Sequence, residues 1–149
     1  MTRVIVLGSR TACDDDAALE AVESMCLDAE VVMAGRPGPG LVDLLDPDVP
    51  TVLVDAVVAP LEPGSVVEFA LADLVERAGS GASVSSHGLG GGQALRLVRA
   101  LGRRLPPGTF IGIVAGNTKP GQGRSSAVST GLPSLRDAIG AAVHRLAQS

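Results

Sequence analysis

The sequence predicts a three-layer α/β/α sandwich built on a mixed, mainly parallel five-stranded sheet. Two observations predict it. Continuous Val/Ile/Leu runs, VIVLG at 4–8 and TVLVDAVV at 51–58, suit strands covered on both faces, as strands of α/β sheets are. Such runs alternate with segments whose apolar residues recur at helical spacing, the pattern of a sheet flanked by helices. A length of 149 residues fits one domain over 1–149, and a hydrophobic fraction of 46% supplies its core and excludes disorder as the main state.

Taken in order, the first strand is Val4–Gly8. A helix over Asp14–Leu27 follows, with Ala17, Ala18, Ala21, Val22 and Met25 on one stripe and three aspartates at its start, where they complement the helix dipole. The second strand is Glu30–Ala34. A short helical turn over Gly40–Leu45 is stopped by Asp46-Pro47, because the residue before proline disfavours the helical region. Strands Thr51–Val58 and Ser65–Leu71, joined through Pro60 and Pro63-Gly64, read as an antiparallel hairpin and make the sheet mixed.

A helix over Gly92–Leu105 repeats Ala94, Leu95, Val98 and Leu101, with Arg96, Arg99, Arg103 and Arg104 elsewhere on its surface. The last strand is Thr109–Ala115. The closing helix carries Leu132, Leu135, Ile139, Ala142, Val143 and Leu146 at i, i+3, i+4 spacing. Gly79–Ser86 and Lys119–Thr130 read as flexible surface segments.

Charge and composition narrow the function. Twelve basic against sixteen acidic residues give a net charge of −4, the wrong sign for a chain held to a phosphate backbone. Phe69 and Phe110 are the only aromatic residues, so there is nothing from which to build a base-stacking platform. Nucleic acid is therefore not an expected partner. No stretch reaches the roughly 18 apolar residues of a membrane span, and the apolar run near the N-terminus is too short for a signal sequence. Cys13 and Cys26 lack metal-ligand spacing and could pair, but without a signal sequence the expectation is a cytoplasmic protein in which both are reduced thiols.

Three places could carry chemistry. The stretch Gly8-Ser9-Arg10-Thr11-Ala12-Cys13-Asp14-Asp15-Asp16 joins a strand to a helix start, where open α/β sheets place ligands. One aspartate there is an ordinary N-cap; three in a row exceed a cap's needs and repel one another unless a cation is near. Asp55 lies in an apolar run, where an unpaired carboxylate is costly to bury, and is expected at the strand's carboxyl end, where the chain leaves the sheet towards Pro60; its bland use is to cap a loop or pair with an arginine. His87, in Ser85-Ser86-His87-Gly88-Leu89-Gly90-Gly91-Gly92, precedes a helix, whereas His144 beside Arg145 reads as solvated surface. Two carboxylates and an imidazole after three different elements form an Asp/Asp/His set whose O and N ligands suit zinc, nickel, manganese or iron. A Ser-His-Asp hydrolase is the competing use, but the chain lacks a G-x-S-x-G elbow.

The order of Asp15-Asp16-Ala17 opening a helix, Asp55-Ala56 in a central strand, Ser85-Ser86-His87 with Leu89 before a helix, FIGIVAG at 110–116 and Ser129-Thr130-Gly131-Leu132-Pro133 leading into the last helix resembles the nickel–iron hydrogenase maturation proteases. The resemblance covers essentially the whole chain. It implies the three-layer fold, and a monomeric endopeptidase that cuts a C-terminal extension from a nickel-loaded hydrogenase large-subunit precursor. It also implies that Asp16, Asp55 and His87 are both the catalytic set and the ligands of a divalent metal, nickel presented by the substrate, with zinc able to replace it in vitro.

Two segments depart from the family pattern. Gly8-Ser9-Arg10-Thr11 stands where the family has G-x-G-N, and Ala34-Gly35-Arg36-Pro37-Gly38-Pro39-Gly40 where it has D-G-G-T-x-G. The alternative these departures imply is a non-catalytic metal- or ligand-binding relative on the same fold.

Overall fold

The computed structural model describes residues 1–8, 13–35, 37–79, 91–116 and 125–148. Its strands are β1 (Arg3–Leu7), β2 (Glu30–Gly35), β3 (Thr51–Val57), β4 (Val66–Ala70) and β5 (Gly108–Val114). The helices are α1 (Ala17–Glu23), α2 (Leu41–Leu44), α3 (Leu71–Gly79), α4 (Gly91–Ala100) and α5 (Ser126–Ala147), with 3-10 turns at Cys13–Asp16 and Gly38–Gly40.

The sheet runs in the order β2-β1-β3-β5-β4. The first four strands are mutually parallel, and β4 is antiparallel to β5, so the sheet is mixed and mostly parallel as expected. The expected hairpin between the third and fourth strands does not form. β5 lies between them, pairing with β3 along Thr51↔Gly108 to Val57↔Val114 and with β4 along Val66↔Ile113 to Ala70↔Thr109. The physical reason is burial: β5 is apolar on both faces and takes an interior place, while half-exposed β4 takes the edge.

Period-two alternation sends β3 into two cores at once. Val52, Val54 and Ala56 join α1 and α5 in one cluster; Leu53 and Val57 join α2, α3 and α4 in the other. Every residue of β3 is buried. Burial of each large aliphatic side chain is worth about 1.5–3 kcal/mol, so the central strand is the anchor of both layers.

Helix boundaries depart from the sequence reading at four places. The first helix proper is Ala17–Glu23, its expected start being the 3-10 turn Cys13–Asp16. The fourth ends at Ala100, short of Leu105. An additional helix, α3, follows β4 directly, with Leu71, Leu74 and Val75 buried at i, i+3, i+4 spacing. α5 begins at Ser126, so residues 126–130 are helical and not part of a flexible segment. Ser125 caps it, its Oγ accepting from the Val128 N–H at 3.4 Å. Residues 80–86 and 119–124 lie outside the described residues, Cys26 is an exposed free thiol, and His144 is exposed.

Candidate active site

β1 leads through α1 to β2 on one side of it in the sheet, and β3 leads through β4, α3 and α4 to β5 on the side away from β1. The two connections leave in opposite directions from neighbouring strands. The carboxyl ends of β1 and β3 therefore flank a topological switch point, the crevice where open α/β sheets bind ligands. The β1–β2 register shifts between Val6 and Leu7, and the Gly8 N–H donates to the Gly35 carbonyl at 2.9 Å, closing that end of the pair. Gly35 there has φ +65°, a conformation that glycine adopts without strain.

Asp16 follows β1 and Asp55 lies in β3, the two strands that border this switch point. Asp16 ends the 3-10 turn after β1, and that turn packs against β3. It occupies the N-cap position of α1, yet its carboxylate makes no capping hydrogen bond; the bland reading of this residue is not the one observed. Asp55 is the fifth residue of β3, opposite Gly112 of β5 and one step beyond the last β1–β3 register pair, Val6↔Val54. It is only 4% exposed, and its Oδ1 accepts from the Ala56 N–H at 2.8 Å. The sequence reading put Asp55 where the chain leaves the sheet; it lies inside the strand instead, two residues before its end. His87 lies outside the described residues, as do Arg10 and Arg36. Among the described residues no group of three or more His, Cys, Asp or Glu side chains could hold a metal ion.

Sequence reasoning missed Asp14. It is fully buried, and its carboxylate accepts from the Gly116 N–H (2.8 Å, Oδ2), the Ser125 N–H (2.7 Å, Oδ1) and the Ser125 hydroxyl (2.9 Å, Oδ2). The crowding of three aspartates is the one local sign of such a role. The partners are 102 and 111 residues away, beyond any local pattern.

The same architecture recurs in solved structures. The NiFe hydrogenase maturation protease HybD from Thermococcus kodakarensis is 27% identical, covering 93% of this chain and 97% of that one with a TM-score of 0.70. The chain is similar over nearly its whole length to NiFe hydrogenase maturation proteases. The hydrogenase maturating endopeptidase HybD from E. coli shares its fold at TM-score 0.79 and 20% identity, over 97% of this chain and 93% of that one. HycI from Thermococcus kodakarensis, a NiFe hydrogenase maturation protease, does so at TM-score 0.63 and 20% identity, over 96% and 92%. No protein-family model matches the sequence, and no curated protein matches it.

Proposed function

We propose that this chain is an endopeptidase that removes a C-terminal extension from a nickel-loaded hydrogenase large-subunit precursor. The observation that supports the reading is that Asp16 follows β1 and Asp55 lies in β3, the strands bordering the switch point, in a fold shared end to end with maturation proteases. Nothing in two carboxylates and an imidazole supplies a nucleophile of the serine or cysteine type. The chemistry that fits them is hydrolysis assisted by a metal that polarises the scissile carbonyl or activates water. In this reading nickel arrives as part of the substrate, zinc replaces it in vitro, and Asp16, Asp55 and His87 receive it. Buried Asp55, held by the Ala56 N–H, keeps a fixed orientation, while Asp16 is half-buried. The chain acts as a monomeric single domain in the cytoplasm. Among its described residues no helix is long and apolar enough to cross a membrane.

The test incubates the protein with nickel-loaded and nickel-free precursor and weighs the large subunit by mass spectrometry. Loss of a short C-terminal peptide from the loaded form alone is the expected result. A second reading, a non-catalytic relative that binds the same partner, is favoured by Gly8-Ser9-Arg10-Thr11 and Ala34-Gly35-Arg36, which replace the family's asparagine and aspartate. An intact tail in both samples with a stable complex would establish it.

A further inference from the structure

A fully buried carboxylate with three hydrogen-bond donors aimed at it is an organised structure, and Asp14 has no place in the chemistry proposed above. Its location gives it one. Asp14 sits two residues before Asp16 in the same 3-10 turn, Cys13–Asp16. Gly116 lies just beyond the carboxyl end of β5, and Ser125 is the N-cap of α5. One side chain therefore ties the turn bearing Asp16 to the exit of the strand beside β3 and to the start of the longest helix.

The bonds are of the strong kind, N–H and O–H donors on an ionised acceptor, and they are linked. Ser125 donates its hydroxyl to Asp14 while the same oxygen accepts from the Val128 N–H, so the cap of α5 and the anchor of the turn share one atom. An alanine could not serve at position 14, because three donors would lose a buried acceptor at once.

We propose that Asp14 is a positioning residue for the reaction: by fixing its turn to Gly116 and Ser125 it sets where the Asp16 carboxylate stands relative to Asp55 across the crevice. This rests on the peptidase reading above. Supporting groups of this type commonly govern 10–100-fold in activity, and small misplacements of a reacting group cost as much.

The experiment measures kcat and KM for cleavage of nickel-loaded precursor by wild type, Asp14→Ala, Asp14→Asn, Ser125→Ala and the Asp14→Ala/Ser125→Ala double variant. Each rate is normalised to the folded fraction from thermal unfolding. Asp14→Ala is expected to lower kcat by about 10–100-fold with KM changed less than about threefold. Asp14→Asn keeps one acceptor oxygen and should fall between it and wild type. Ser125→Ala should lose less, and the double variant should be no slower than Asp14→Ala, because both act through the same bonds. If Asp14→Ala lowers the melting temperature but turnover per folded molecule is unchanged, Asp14 is only a staple of the fold and the proposal is overturned. Additive losses in the double variant overturn it as well. A folded wild type that cleaves nothing is a different failure: it removes the peptidase reading and the role of Asp14 with it.

Discussion

Gly131, inside α5, lies directly against the backbone of Gly64: a Cβ added at Gly131 would sit 2.3 Å from the Gly64 carbonyl oxygen. The approach is reciprocal, since a Cβ at Gly64 would sit 2.2 Å from the Ala127 carbonyl oxygen, and Gly64 has φ +87°. The Gly64 N–H also donates to the Val114 carbonyl at 2.8 Å. This contact brings the turn before β4, the end of β5 and the first turns of α5 together beside the anchor of Asp14.

A prediction of inverted sign follows for Gly131→Ala. Intrinsic helix propensity favours alanine over glycine by about 1 kcal/mol. Here the methyl group meets backbone that cannot yield, and overpacking costs typically about 1–3 kcal/mol. Gly131→Ala should lower the thermal midpoint, whereas Gly140→Ala, whose added Cβ meets only the Met25 side chain at 3.9 Å, should not.

Pro133 offers the opposite case. It is exposed in the interior of α5 and lacks the N–H that would donate to the Ser129 carbonyl. An interior proline costs a helix about 3 kcal/mol, offset by about 0.4–1 kcal/mol from its stiffening of the unfolded chain. Pro133→Ala should raise stability by about 2–2.6 kcal/mol in urea unfolding, with an unchanged m-value.

Within α4, stability should follow burial and not charge pairing. Arg99 and Glu76 pair at 2.8 Å but are about half and three-quarters exposed, so Arg99→Ala should cost no more than about 0.5 kcal/mol. Leu95 is fully buried in the cluster with Leu53 and Phe110, and Leu95→Ala should cost about 2–5 kcal/mol. Denaturant melts of the two variants decide between the effects directly.

Asp16→Ala and Asp55→Ala should each slow precursor cleavage by at least about 100-fold. Their stabilities should differ: Asp16 is half-buried at the surface end of its turn, and its loss should lower the melting temperature less than that of Asp55. Asp55 is buried within β3, and removing it leaves a void and a lost acceptor for the Ala56 N–H. Circular dichroism melts alongside the cleavage assay separate the two.

Much of the fold is legible in the sequence because it is local. The five strands are readable from runs of buried aliphatic residues, and most helices from apolar residues three and four apart. The exceptions have local causes as well. α3 starts at Leu71 with no breaker after β4, so strand and helix run together in the chain. Pro133 resembles a helix start and conceals the real one at Ser126.

The candidate site divides the same way. An acid interrupting TVLVDAVV and acids after a strand and a loop mark Asp55 and Asp16, because a carboxylate in an apolar setting is conspicuous in any sequence. By itself the sequence determined an α/β chain with one acid in its central strand and others opening its first helix. Only the tertiary structure decided that β5 lies between β3 and β4, that β1 and β3 flank a crevice, and that Asp14 grips Gly116 and Ser125. Strand order and buried hydrogen bonds are settled by which distant surfaces close over one another, and a pairing across 111 residues leaves no period for neighbouring residues to record.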